Sequence, residues 1–443
     1  MRWVTSDIAA AVGGELTGDD VAVDRVTQDS REIDRSLGDW LFVPLIAARD
    51  GHDFVPGAIA AGAVATLASR PVDSAGATVV RVDSTDQALL ALGTAARNRL
   101  DDAAVVGITG SVGKTTTKDL LAAVLREDRS THANIRSFNN EIGVPLTLLG
   151  APEGTEAVVL EMGARGVGHI RMLCEIGRPT LSIVTTVGAA HTSEFGSVDA
   201  VAVGKREIVE SLPAAADGGV AVLNADNPLV AAMAAHTDAR VVTFGADADV
   251  RATDVRLGDD LAPSFRLVAA EGEIDVSLGG RGVHLVDNAL AAAAAALALG
   301  VPIASVASGL ARPQMSPNRM AVHTTASGAR IIDDSYNANP MSVTAALEAL
   351  AVGSAERRIA VLGVMAELGD EHAAEHERMT GLARERGIEV IAVGTPDYGP
   401  DAAHVADIDE AIDRLGPIGA GDAVLVKGSR VAGLERLAAR LLD

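Results

Sequence analysis

Gly110-Ser111-Val112-Gly113-Lys114-Thr115-Thr116 sets two glycines, a lysine and three hydroxyls within seven residues, the composition of a loop that wraps phosphate. Glycines let backbone N–H groups close around phosphate oxygens, and a following helix N-terminus adds positive dipole. Lys114 can neutralise β/γ charge, and the Thr115 hydroxyl suits Mg²⁺. The flanks fit: an apolar strand pattern at 104–109 precedes the loop and a helical run at 118–125 follows. Binding of ATP or GTP is therefore expected. The usual template has glycine at 108, where Ile108 stands, with Gly107 one place early. A glycine-rich strand-to-helix turn with a chance lysine is the alternative.

Other residues have the types for the same chemistry. Glu161 ends a strand predicted to neighbour the phosphate-loop strand, where a carboxylate can reach Mg²⁺ together with Thr115; a surface salt bridge is the plainer reading. His191 follows the apolar run 181–187 and points into the same crevice, or is a solvated loop residue or helix cap. Asn139 and Asn140 can orient a γ-phosphate or an incoming amine, or stabilise a turn. Lys205, from the sequence alone, is a surface lysine paired to Glu207 or Glu210. Asn288 opens an alanine-rich helix and can be its N-cap.

These residues need rigid elements to hold them. At 443 residues the chain suggests about three domains on the usual length prior. Hydrophobic content is 48% and aromatic content 2%, so the cores must be built from Ala, Val, Leu and Ile, which favours parallel α/β layers. A net charge of −23 opposes non-specific binding to nucleic acid or anionic lipid. The one cysteine, Cys174, excludes an intramolecular disulfide and a thiolate cluster, and a reducing cytoplasm fits. The opening residues lack a signal-peptide apolar region, so export is not expected. The uncharged run 289–311 is mostly alanine and contains Gly300 and Pro302. It reads as a buried helix, 286–299, followed by a turn, rather than a membrane span.

Three domains are expected. Residues 1–100 form a small mixed α/β domain, with a strand at 40–43 and a helix leading into 64–67. Residues 101–312 form a P-loop-type parallel sheet, with strands at 105–109, 157–161, 181–187, 219–223 and 241–244 and a helix at 198–212. A hairpin at 265–268 and 274–278 is appended to it. Pro313 and Pro317 mark the next boundary. Residues 313–443 repeat the strand–helix alternation, with strands at 330–333, 359–363, 389–394 and 423–427, as a Rossmann-like doubly wound domain.

Ten motifs occur in order along the chain: Asp29-Ser30-Arg31, Asp50-Gly51-His52-Asp53-Phe54, the loop 110–116, Asn139 to Thr147, Glu161-Met162-Gly163, Val187 to His191, Gly204-Lys205-Arg206-Glu207, Asp333 to Pro340, Ala366-Glu367-Leu368-Gly369 and Lys427-Gly428-Ser429-Arg430. Together they resemble the Mur ligases over nearly the whole length, and that family shares the aberrant glycine spacing. Asp333-Asp334-Ser335-Tyr336-Asn337-Ala338-Asn339-Pro340 is similar to the branch that adds D-alanyl-D-alanine. Pro44 to Arg49 departs from the family's A-L-x-G, which leaves the uridine contacts open.

The resemblance implies an ATP-dependent, ADP-forming ligase joining D-alanyl-D-alanine to a UDP-N-acetylmuramoyl tripeptide through an acyl phosphate. It implies two Mg²⁺ ions and carbamylation of Lys205 by CO₂, giving an anion that holds the second Mg²⁺ with His191. Asn288 would read the adenine edge. Arg319, Asp334, Tyr336 and Asn337 would close over ATP, although surface salt bridging is the plain reading of Arg319. Lys427, Ser429 and Arg430 can hold the D-alanyl-D-alanine carboxylate. Ser30, Arg31, His52 and Phe54 are candidates for the UDP end, though Phe54 can equally be core. A cytoplasmic monomer is expected, with no membrane insertion. The rivals are a neighbouring amide ligase, adding the third residue or polyglutamylating folate, and a nucleotide-dependent switch protein.

Overall fold

The computed structural model describes residues 1–134, 137–188, 192–258 and 260–442. It is an α/β protein with two compact units. One comprises residues 1–107, 129–163 and 170–181; the other comprises 108–128, 164–169 and 182–443.

In the first unit, a five-stranded sheet runs Glu15–Thr17, Thr78–Arg81, Ala63–Ala68, Trp40–Phe42, Arg25–Thr27. The Glu15–Thr17 edge is antiparallel to its neighbour and the other pairings are parallel. Trp40, Phe42, Val55 and Ala58 form a small core beneath it. Ser84 caps the Thr85–Asn98 helix by accepting from Gln87 N–H.

The sheet that carries the phosphate loop has six strands: Arg240–Phe244, Val220–Asn224, Leu181–Val184, Ala104–Thr109, Ala157–Glu161, Thr131–Ala133. Its four inner strands are near-continuous apolar runs, as expected for strands covered on both faces. Ala157 to Glu161 are buried throughout.

In the second unit, the Lys114–Arg126 helix packs against two helices, Leu285–Ala298 and Ile303–Ala311. Ala289 and Ala291 to Ala296 are fully buried. The single helix and turn expected over 286–311 are thus two helices; Gly300 and Pro302 end the first, and the serines of the second do not prevent it. No helix among the described residues is long and apolar enough to cross a membrane. The expected hairpin has a third strand, Arg251–Leu257, beside Pro263–Ala269 and Gly272–Ser277. Exposure of most of Arg251–Leu257 erased its hydrophobic alternation.

The C-terminal sheet runs Ala321–Thr324, Arg330–Asp333, Asp422–Lys427, Arg357–Leu362, Glu389–Val393, Ala403–Val405. Only the Ala321–Thr324 edge is antiparallel. Helices cover both faces, as the two flanking apolar clusters show. The carboxyl ends of Arg330–Asp333 and Asp422–Lys427 lie side by side, with Asp333 opposite Val426, which assembles the next set of site residues.

Candidate active site

The phosphate loop turns on two glycines in backbone conformations that other residues rarely adopt. Gly110 has φ +149° and Gly113 has φ +84°, conformations that penalise a side chain. A Cβ on Gly110 would collide with Thr185 Oγ1, and one on Gly113 with Asn288 Oδ1. Thr185 Oγ1 donates to Val112 O at 2.6 Å. Ser111 Oγ donates to Gly188 O and accepts from Gly188 N–H, each at 3.1 Å. Lys114 Nζ donates back to Gly110 O at 2.6 Å, so the ammonium lies over the loop. Thr115 and Thr116 are buried in the first helical turn. This concave backbone, a cation folded over it and a helix N-terminus beneath it fit a nucleotide's phosphates, with Thr115 a suitable magnesium ligand.

Asn288 stands in the fourth position of its helix, whose N-cap is His284, so the capping alternative is overturned. Its Oδ1 accepts from Thr117 Oγ1 at 3.1 Å, and its Nδ2 donates to His284 O at 3.1 Å.

A second group joins the loop from the C-terminal domain. Arg319 Nη2 donates to Thr115 Oγ1 at 3.0 Å, and its guanidinium carbon lies 4.2 Å from the Tyr336 ring centroid, a cation–π distance. These contacts turn Arg319 towards the loop and the Tyr336 ring. Lys427 is 2% exposed; its Nζ donates to Asp334 Oδ2 at 2.5 Å and to Asn337 O at 2.8 Å. Burial lowers the Lys427 pKa, against the pull of Asp334. Ser429 Oγ donates to Ala338 O at 3.1 Å and accepts from Ala366 N–H at 2.9 Å. Of the three residues expected to hold a carboxylate, Lys427 and Ser429 tie strand-end loops together, and Arg430 is the exposed one. Asn337 is exposed beside them.

Lys205 is the largest departure from the plain reading. It is 1% exposed rather than a surface residue. Burial holds its pKa well below the ordinary lysine value, and Lys114 pushes it further down. Glu207 accepts from Gly168 N–H at 2.5 Å, and Glu210 pairs with Arg206 at 2.7 Å. Val201, Ile208 and Val209 are buried on the same helix; the 201, 205, 208 spacing marks Lys205 as inward-facing.

In the other unit, Glu161 is 2% exposed, which excludes the surface salt bridge. Its Oε1 accepts from Asn139 Nδ2 at 2.8 Å, and its backbone N–H donates to Asn134 Oδ1 at 3.2 Å. Asn139 thus orients a carboxylate. Asn140 Oδ1 accepts from Ile142 and Gly143 N–H at 3.3 and 3.0 Å, the turn-stabilising alternative.

His52, a candidate for the UDP end, is committed internally. It is 2% exposed, with Nδ1 2.7 Å from Asp50 Oδ1 and Nε2 accepting from Ser69 N–H at 3.0 Å. Hydrogen bonds from His52 N–H and from its ring lower the Asp50 carboxyl to about 2. Phe54 is 39% exposed, so it is not core, and Arg49 lies 5.4 Å from its ring centroid. Arg31 is exposed and paired to Asp29 at 2.5 Å, with Ser30 half-buried in the same short helix.

His191 lies outside the described residues. Among the described residues, no group of three or more His, Cys, Asp or Glu side chains forms a metal cluster. Sequence reasoning missed Thr185 and Asn134. Thr185 is a polar residue just beyond a buried strand, the signal that could have found it, whereas Asn134 follows the half-buried Thr131–Ala133, which carries no such signal.

Residues 108–296 match the Mur ligase middle domain, and 318–430 match the Mur ligase glutamate ligase domain. A UDP-N-acetylmuramoyl-tripeptide–D-alanyl-D-alanine ligase of Mycobacterium tuberculosis is 40% identical, covering 100% of this chain and 98% of its own. A solved MurF structure from Acinetobacter baumannii superposes with a TM-score of 0.89 at 30% identity, covering 100% and 99% of the two chains. The MurF ligase of Thermotoga maritima in complex with ADP superposes with a TM-score of 0.80 at 28% identity, covering 95% and 97%. Phosphate loop, parallel-sheet α/β fold and these similarities define an ATP-dependent peptide ligase. The chain belongs to the Mur ligase family.

Proposed function

We propose that the protein joins the terminal carboxylate of a UDP-N-acetylmuramoyl tripeptide to the amine of D-alanyl-D-alanine, forming the pentapeptide precursor of peptidoglycan. The observation that carries this reading is the Arg319–Thr115 hydrogen bond. It makes the phosphate loop a site shared with the C-terminal ligase domain, which a stand-alone nucleotide switch has no use for. The 40% identity to a ligase of this specificity over the full chain supports the same reading against other amide ligases.

ATP supplies the phosphoryl group that turns the carboxylate into an acyl phosphate, and Mg²⁺ offsets the phosphate charge. Lys114 and the backbone N–H groups of 110–116 hold the phosphates, and Arg319 adds a second cation as charge develops. Thr115 and Glu161 serve as magnesium ligands, and Asn288 reads the base. Asn139 holds Glu161 in one orientation. Asp334, Tyr336 and Asn337 set the far wall. Arg430, with Lys427 and Ser429 supporting its loop, meets the D-alanyl-D-alanine carboxylate, while Phe54, Ser30 and Arg31 meet the UDP end.

Lys205 is proposed to be a carbamate. The neutral amine that burial favours adds to CO₂, forming an N–C bond and releasing one proton. The resulting anion suits a second Mg²⁺, held with His191, where an ammonium beside Lys114 would be repelled. The working form is proposed to be a cytoplasmic monomer with domains at 1–100, 101–312 and 313–443.

Phosphate release measured with ATP, the UDP-tripeptide and D-alanyl-D-alanine tests the function. Turnover is expected only with all three. Equal ATP hydrolysis with neither acceptor present refutes the ligase.

A further inference from the structure

Lys118 and Asp119 take no part in the chemistry above, yet both are buried, at 2% and 8% exposure, with Nζ and Oδ1 2.9 Å apart. A buried carboxylate is costly unless its oxygens are engaged. The second oxygen, Oδ2, accepts the backbone N–H of Ser316 at 2.7 Å. Ser316 belongs to the linker between the two matched domains and is flanked by Pro313 and Pro317.

Two further contacts bracket this one. Towards the far end of the Lys114–Arg126 helix, Glu127 Oε2 accepts from Ser308 Oγ at 2.8 Å and lies 3.7 Å from Arg312 Nη2. At its start, Thr115 accepts from Arg319. The linker therefore runs antiparallel along the phosphate-loop helix: 127 with 312, 119 with 316, 115 with 319. Thr115 and Asp119 are four residues apart and share one helix face.

We propose that Asp119 is a positioning residue for the ligase reaction. By holding the Ser316 N–H it fixes how much linker is left to span to Arg319, and so delivers the Arg319 guanidinium to the phosphate loop. Asp119 touches no substrate; it acts through Arg319. The proposal rests on the ligase reading.

The test is a double-mutant cycle on the full chain. Turnover and KM for each substrate are measured for wild type, Asp119→Ala, Arg319→Ala and the double variant, and Ser316 amide exchange is measured in wild type and Asp119→Asn. Asp119→Ala is expected to lower kcat about tenfold or more, with little change in KM for the tripeptide, because a misplaced group costs transition-state rather than ground-state binding. The double variant is expected to be no slower than Arg319→Ala alone, since the two residues act in series. Asp119→Asn keeps an acceptor oxygen and is expected to stay within about threefold of wild type and to retain slow Ser316 exchange. Multiplicative losses in the double variant, or an asparagine variant as slow as alanine, overturn the proposal. Fast Ser316 exchange in wild type overturns it without any variant. Wild-type turnover independent of D-alanyl-D-alanine instead sinks the ligase reading and leaves the exchange result standing.

Discussion

Arg319 Nη2 and Thr115 Oγ1 are 3.0 Å apart and 204 positions apart in the chain. A guanidinium and a metal ion could not share this hydroxyl. On the proposed role of Thr115 as a magnesium ligand, Arg319 would turn to a phosphate oxygen while still stacked on the Tyr336 ring it covers.

Arg319→Ala is accordingly expected to lower kcat by about 10²-fold or more, with KM for ATP changed less, as removal of a transition-state cation does. Arg319→Lys should recover little, because an ammonium lacks the planar fork that stacks on Tyr336 while bonding phosphate. Steady-state kinetics checks both; a lysine variant near wild type would show that charge alone suffices.

Lys205→Ala should lose about 10²-fold or more in turnover, with acetate restoring part of it. The carbamate should appear as a labelled carbonyl signal in protein exposed to isotope-labelled bicarbonate, and be absent from the variant. Because burial and Lys114 depress the lysine pKa, the unfolded chain binds this proton more readily than the folded one. Stability therefore rises with pH up to the ordinary lysine value, and the burden is fully present below the depressed pKa. In CO₂-free buffer, Lys205→Met should melt higher than wild type near neutral pH, and a lower melting point contradicts this account.

His52 and Phe54 share one motif and should behave oppositely. Removing the buried His52 ring takes the acceptor from the Ser69 N–H and one of several partners from Asp50, so His52→Ala should cost about 1–3 kcal/mol in denaturant unfolding. Phe54→Ala should leave unfolding nearly unchanged and raise KM for the UDP substrate. The reverse pattern would exchange their roles.

His376 contributes to the pH dependence of the C-terminal domain. Its Nε2 accepts from Met365 N–H at 2.8 Å, and its Nδ1 lies 2.6 Å from His372 O, so the ring must be neutral with its proton on Nδ1. Burial lowers its pKa. The folded state thus takes up the proton less readily than the unfolded one. Stability from this residue is complete above about 6.5 and is lost as pH falls towards the depressed value. Wild type should lose more melting temperature between pH 8 and pH 5 than His376→Gln; an equal loss contradicts the assignment.

Most strands of the two six-stranded sheets and the phosphate loop were legible because buried strands are unbroken apolar runs and the loop's glycines are conformationally forced; the short edge strands Thr131–Ala133, Ala321–Thr324 and Ala403–Val405, none of them fully buried at any residue, were missed. Exposed Arg251–Leu257 carried no such pattern. The inward face of Lys205 was written in its spacing from Val201 and Ile208 but was outweighed by the charge of the residue. His52 meeting Ser69, Lys427 meeting Asp334, and Arg319 meeting Thr115 join positions 17, 93 and 204 apart, and no local rule relates them. Asn140 and Asn139, adjacent in the chain, divided into a turn residue and a carboxylate orienter because only one faces Glu161.

The phosphate-loop helix is flanked by helices rich in small residues that pack so closely that a Cβ on Gly309 would strike the backbone at Val124. Such a contact has no large side chain to lose. Every single-nucleotide change that replaces an alanine, except by glycine, adds atoms, so inherited damage at the buried Ala289 and Ala291 to Ala296 runs towards overpacking. The leucine- and valine-lined strands fail by the opposite route, through cavities. Conditional alleles selected in this protein should therefore sort by element, gaining volume at the alanine helix and shedding it in the sheets.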